Sequence, residues 1–81
     1  KKRYFEIINL VLNSNDEITI KDISNLYNIT ERSIRYDIDE LNVFFQEKNN
    51  KDIIEINNNR LKILYSENEI EDIVENIKEK E

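Results

Sequence analysis

Residues 18–36 read Ile18-Thr19-Ile20-Lys21-Asp22-Ile23-Ser24-Asn25-Leu26-Tyr27-Asn28-Ile29-Thr30-Glu31-Arg32-Ser33-Ile34-Arg35-Tyr36, and one short layout occurs in them twice. In each copy an isoleucine precedes a threonine, and another isoleucine follows four residues after that threonine (Ile18, Thr19, Ile23; Ile29, Thr30, Ile34). A threonine hydroxyl placed there accepts from the unpaired amides of a helix's first turn. Asp22 can answer back in the first copy, and the flanking isoleucines staple the entering chain to the helix. Each threonine therefore marks a helix start. The first of these helices runs from Ile20 to Tyr27, with Ile23, Leu26 and Tyr27 as its apolar positions. It stops at Asn28, because asparagine tolerates the left-handed backbone better than other residues with a side chain. Only Asn28 and Ile29 then separate it from the cap at Thr30, which is the outline of a helix-turn-helix.

Working outward, the helix that starts at Glu31 carries Ile34, Ile38, Leu41 and Phe45 on one stripe and runs to about Gln46. At ~100° per residue, Arg32, Tyr36 and Asp39 fall on the opposite side, with Ser33 and Arg35 on its flanks. Asp52-Ile53-Ile54-Glu55-Ile56 and Leu61-Lys62-Ile63-Leu64-Tyr65 read as two strands around an Asn57–Arg60 turn, with asparagine at the positive-φ positions. Ile18–Ile20 can lend a short third strand. Before the quoted stretch, residues 2–13 form a first helix with Phe5, Ile8 and Leu12 on its stripe, widened by Ile7 and Val11. After the hairpin the cap pattern recurs as Tyr65-Ser66-Glu67-Asn68-Glu69-Ile70, where Glu69 completes a capping box. A last helix follows to about Lys80, on Ile70, Ile73, Val74 and Ile77. The fold class is mainly α with a small β-hairpin: a winged helix-turn-helix of three core helices plus a wing, with an extra C-terminal helix. Residues 1–65 form the winged domain. Residues 66–81 form an acidic helix that either packs on it or connects to further domains, and its four apolar positions fall short of a coiled coil.

Composition closes off most enzyme chemistry. The 81 residues contain no Cys and no His, so thiolate or zinc sites and the usual general base are absent. They contain no Gly either, which removes phosphate-cradling loops and dinucleotide fingerprints. Asp37, Asp39 and Glu40 cluster on a helix with no implied pocket, so they carry no catalysis; Asp37 flanks the buried stripe and orders a neighbouring side chain. The expectation is a protein that is not an enzyme, with no cofactor, no metal and no small-molecule site. No apolar run approaches the ~20 residues that span a bilayer, and no signal-peptide pattern is seen. The lack of Met suggests a fragment or a trimmed start. The net charge is −6, unevenly spread: residues 1–36 hold six cations against five anions, and the rest of the chain holds the excess of acid. That split suggests a partner-facing first half and a solvated acidic end.

The candidate site is the exposed first half of the helix beginning at Glu31. A major groove of duplex DNA admits a helix, and base edges there display an unambiguous code of donors and acceptors. Forked donors and small hydroxyls near a helix N-terminus suit that task. Arg32 is assigned to bases, with guanine as its natural target. Arg35 and Tyr36 take mixed base and phosphate roles, and Thr30 and Ser33 take phosphate oxygens. Thr19 and Lys21 face flanking phosphates, although Thr19 also reads as a plain cap and the two roles are compatible. Arg60 at the wing reaches backbone or minor groove, with Asn58 and Asn59 as turn formers. The competing view of the arginines is a solvated face paired to Glu31, Asp37 or Asp39. Lys1, Lys2 and Arg3 make a basic start that reads as a frayed terminus.

Residues 27–42, from Tyr27 through Arg32-Ser33-Ile34-Arg35-Tyr36-Asp37 to Leu41-Asn42, resemble the recognition segment of bacterial winged-helix regulators. DeoR-type repressors share the core of that pattern. Tyr36-Asp37 and Leu41-Asn42 resemble more closely activators with PTS regulation domains and Mga-like regulators. The resemblance covers roughly residues 3–65. It implies a cytoplasmic transcriptional regulator that binds a double-stranded DNA operator of a carbohydrate-uptake operon, as a homodimer within a longer protein. It further implies that phosphorylation of downstream domains controls dimerisation and DNA binding. One departure is the wing, where the family often has Gly and this chain has Asn. The alternative function is a winged-helix module that docks proteins and does not bind DNA.

Overall fold

Side-chain caps decide where three of the helices start, and left-handed asparagines decide where two of them stop. The computed structural model describes residues 2–15 and 17–80, with side chains described for 3–15 and 17–75. Lys1 and the side chains of Lys2 and Ile77, which the basic-start and last-helix readings used, lie outside the described residues. The elements are α1 (Lys2–Leu12), α2 (Ile20–Tyr27), α3 (Glu31–Asn49), β1 (Ile54–Asn57), β2 (Arg60–Ile63) and α4 (Glu67–Lys80). Thr19 caps α2 by accepting from the Asp22 amide at 3.1 Å, and Asp22 accepts from the Thr19 amide at 3.0 Å. Thr30 accepts from the Ser33 amide at the start of α3. Ser66 and Glu69 form the same reciprocal pair at α4. All three starts fall where the sequence puts them.

Between α2 and α3 the turn is held from both sides. Asn28 takes φ 55° and ψ 44°, and its amide donates to the Ser24 carbonyl. The buried Ser24 also donates its hydroxyl to the Ile29 carbonyl at 2.5 Å while its own carbonyl accepts the Ile29 amide at 3.1 Å. The helix-turn-helix geometry is thus fixed by a residue that the sequence pattern did not single out.

The core is one cluster fed by every element. Ile34, Ile38, Leu41 and Phe45 of α3 are buried against Ile7, Ile8, Val11, Ile20, Ile23, Ile53, Ile54, Leu61 and Tyr65, and Ile70 and Ile73 of α4 join them. Each buried isoleucine contributes about 1.5–3 kcal/mol relative to an exposed one. Three expectations shift. Leu26 is 62% exposed instead of buried. Its position lies ~120° around the helix from Ile20, and Ser24 fills the inward place. On α1 the fully buried residues are Ile7, Ile8 and Val11, while Phe5 and Leu12 are half-buried. Those two line an open groove of about 410 Å³ between α1 and α4. Helix α3 continues to Asn49, because Glu47 and Lys48 propagate it until Asn50 turns left-handed at φ 62°.

The wing is an antiparallel pair with Ile54 opposite Ile63, Ile56 opposite Leu61 and Asn57 opposite Arg60. Its turn is therefore the two residues Asn58 and Asn59, at φ 53° and 67°, and Arg60 belongs to the strand rather than to the turn. Two positive φ values are what a tight hairpin needs to match the strand twist. The short third strand reduces to one bridge, Thr19 with Arg60, flanked by the Leu61 amide on the Ile18 carbonyl (3.0 Å) and the Ile20 amide on the Asn59 carbonyl (3.1 Å). On the far side of the wing, Asn42 of α3 accepts the Ile53 and Ile54 amides at 3.0 and 2.9 Å and donates to the Ile54 carbonyl at 3.0 Å. Tyr65 closes the return: its hydroxyl donates to the Lys51 carbonyl at 2.7 Å and its ring meets Phe45 edge-on. Burial pushes its phenol upward in pKa.

Candidate nucleic-acid interface

The surface that carries Arg32, Arg35 and Tyr36 is open. Both arginines are exposed and Tyr36 is 54% exposed. Their buried counterparts on the same helix, Ile34 and Ile38, explain why: the apolar stripe turns these three side chains outward. Arg32 donates through Nε and Nη2 to the Tyr36 hydroxyl at 3.2 and 3.0 Å, and its guanidinium lies 5.5 Å from that ring's centre. This i, i+4 pair pre-folds a planar donor against an aromatic. Arg35 donates to Asn59 Oδ1 at 2.9 Å, across from α3 to the wing turn. Among the described residues the one ion pair joins Arg3 to Asp37, so neither ridge arginine is tied to Glu31, Asp37 or Asp39. The paired-face view of the arginines is not what the geometry presents.

The hydroxyls differ in what they have left to offer. Thr30 Oγ1 accepts the Ser33 amide and donates to Ser33 Oγ at 3.0 Å, so its hydrogen is used. Ser33, half-buried, keeps its own hydrogen. Thr19 is half-buried and holds its cap. Its backbone pairs with Arg60, so Thr19, Arg60 and the wing turn meet at the start of α2, with exposed Lys21 following in the first turn. The structure thus brings Thr19, Lys21, Arg35 and Arg60 around the wing, and Thr30, Arg32, Ser33 and Tyr36 along the first turns of α3. The two groups join through Arg35 and Asn59.

Behind this surface, α1 is clasped to α3 by polar pairs that the sequence did not reveal. Arg3 is not a frayed cation: its Nε donates to Asp37 Oδ2 at 2.6 Å, and Asp37 is buried at 8% exposure. That hydrogen bond holds the guanidinium above its ordinary pKa. The reading of Asp37 as an ordering group is met, with Arg3 as the side chain it orders. Next to it, the Tyr4 hydroxyl donates to Glu40, and this bond, aided by burial, pushes the phenol up to about 12. The signal was weak because the partners lie 34 and 36 residues apart. The sequence likewise marks Asn59 as a turn former at the wing tip and gives no sign of its bond to Arg35. Among the described residues no group of three Asp or Glu side chains is placed to hold a metal ion, and no helix is long and apolar enough to cross a membrane.

A capped helix-turn-helix with a hairpin wing and an open Arg–Tyr ridge on its second helix defines a winged helix-turn-helix domain of the DNA-binding regulator class. The chain belongs to the M protein trans-acting positive regulator (MGA) HTH domain family, whose model matches residues 1–60. That span takes in α1, the helix-turn-helix and the wing as far as Arg60. HTH regulatory domain families of this kind are generally non-enzymatic. Comparison with curated proteins and with solved structures gave no match.

Proposed function

We propose that this chain binds double-stranded DNA sequence-specifically, as the DNA-binding domain of a cytoplasmic transcriptional regulator of a carbohydrate-uptake operon. Residues 1–65 are the DNA-binding unit and 66–81 an appended acidic helix. Helix α3 enters the major groove, α2 buttresses it and the wing braces the backbone. Arg32 reads a base; Arg35 and Tyr36 serve base and phosphate; Ser33, Thr30, Thr19 and Lys21 meet phosphate oxygens; Arg60 meets the backbone beside the wing. The single observation that carries this reading is that Arg32, Arg35 and Tyr36 stand exposed on α3, with Arg35 bonded to the wing turn and neither arginine holding a carboxylate partner among the described residues. The carbohydrate operon, the homodimer and control by phosphorylation of downstream domains follow from the likeness to PTS-regulation-domain activators and go no further than that likeness. With a net charge of −6, one copy has little non-specific attraction for DNA, which favours two copies on paired half-sites.

The test is selection of bound sequences from a pool of random duplexes by the 81-residue chain. Enrichment of a short motif supports the reading. If ~4 phosphates are contacted, log affinity falls with log salt at a slope near −3.6. No enrichment, together with a protein partner whose binding depends on Arg32 and Tyr36, would replace DNA with a docking role.

A further inference from the structure

We propose that Asn59 is a positioning residue that sets Arg35 for DNA contact; this rests on the reading of α3 as the DNA-facing helix. The wing turn demands positive φ at 58 and 59, and a glycine meets that demand at the lowest conformational cost. Among the described residues all five with positive φ are asparagines: Asn15, Asn28, Asn50, Asn58 and Asn59. Composition alone thus accounts for an asparagine in the turn. It does not account for what Asn59 does with its side chain. Asn59 Oδ1 accepts from Arg35 Nη2 at 2.9 Å, while its backbone carbonyl accepts the Ile20 amide at 3.1 Å. One turn residue therefore bridges the wing to both helices of the helix-turn-helix. An arginine has only donors, so the atom facing it must be the amide oxygen. Among the described residues the other four guanidinium N–H groups have no hydrogen-bond partner, which leaves them for bases and phosphates.

An exposed arginine loses much rotamer freedom when a base or phosphate fixes it. A bond already made in the free protein removes part of that loss and narrows the directions in which the guanidinium can point. Asn59 then affects which base pair is preferred, without touching it.

Three substitutions separate this role from turn formation. N59G keeps the positive φ and removes the acceptor. N58G changes the same turn and spares the acceptor. N59D keeps an acceptor and adds charge. On the free 81-residue chain, ¹⁵N relaxation of the Arg35 guanidinium is measured together with the thermal midpoint. Selection from the random duplex pool is then run on the same proteins and on R35A. N59G is expected to leave the midpoint unchanged or higher, to loosen the Arg35 side chain, and to lose about three- to tenfold of the preference at the base pair where R35A loses it, the worth of one hydrogen bond. N58G should do neither. N59D should retain the base preference while binding all duplexes more weakly. Unchanged Arg35 relaxation in N59G overturns the latch, and an unchanged preference in N59G beside a selective wild type overturns its role in recognition. A wild-type chain that enriches no sequence overturns the DNA reading itself, while the relaxation result still judges the latch on its own.

Discussion

Arg32 and Asn42 sit on one helix in opposite settings, one exposed and one bonded to the wing backbone, and substitution should expose the difference. Arg32 is exposed, and among the described residues its side chain hydrogen-bonds to Tyr36 alone, so R32A should leave the unfolding midpoint almost where it is. On the selected duplex it should cost about 1–3 kcal/mol and relax preference at one base pair. A uniform loss over all duplexes would move Arg32 to the phosphate contacts. Asn42 is half-buried and makes three hydrogen bonds to the backbone at the start of the wing. N42A strands the Ile53 and Ile54 amides, and an unsatisfied donor costs about 1–3 kcal/mol. Denaturant titration should therefore show a clear loss of stability for N42A, and one below ~0.5 kcal/mol would mean that water replaces the amide freely.

Elements were legible in the chain to the extent that their determinants are local. The caps at Thr19, Thr30 and Ser66 act over three residues, and the left-handed stop at Asn28 acts over four, so a reader of the sequence finds them. The hairpin was legible too, but not its bounds: the strands read as 52–56 and 61–65 run Ile54–Asn57 and Arg60–Ile63, the turn end being set by Asn57 pairing with Arg60. What joins the elements was not legible. Arg3 with Asp37, Tyr4 with Glu40, Asn42 with Ile54 and Arg35 with Asn59 span 34, 36, 12 and 24 residues. Nothing in a side chain's neighbours announces a partner so far away. The α1–α3 clasp has a pH signature with a definite sign. A phenol whose folded pKa lies above its ordinary 10, at about 12, contributes stability that is complete below pH 10. That stability is lost as pH rises from 10 through 12, when a tyrosinate would face the Glu40 carboxylate. Y4F cannot undergo this loss, so between pH 10 and 12 its thermal midpoint should fall less steeply than that of the wild type. Parallel curves would remove Tyr4 from the clasp.

At the scale of the molecule the open question is how an acidic chain approaches a polyanion. Residues 66–81 carry seven carboxylate side chains against Lys78 and Lys80, a large share of the net charge of −6. The molecule is only 31 Å in its longest dimension, a few Debye lengths at physiological salt and about one at ~0.01 M. At low salt the field of α4 therefore reaches the side proposed to face DNA and offsets the attraction that Lys21, Arg32, Arg35 and Arg60 would exert on phosphates. Glu67, Glu71, Asp72 and Glu75 are exposed, whereas Ile70 and Ile73 hold α4 to the core and Glu69 closes its cap. Replacing those four carboxylates with amides thus changes the field and spares the packing. The association rate with the selected duplex should rise several-fold at low ionic strength, as expected for electrostatic steering. The gain should shrink towards nothing near 1 M salt, where the Debye length is ~3 Å, and the preferred bases should stay the same. A gain that survived high salt would mean that α4 acts through contact rather than through charge, and a shift in the preferred bases would mean that its acidic face helps to read the DNA.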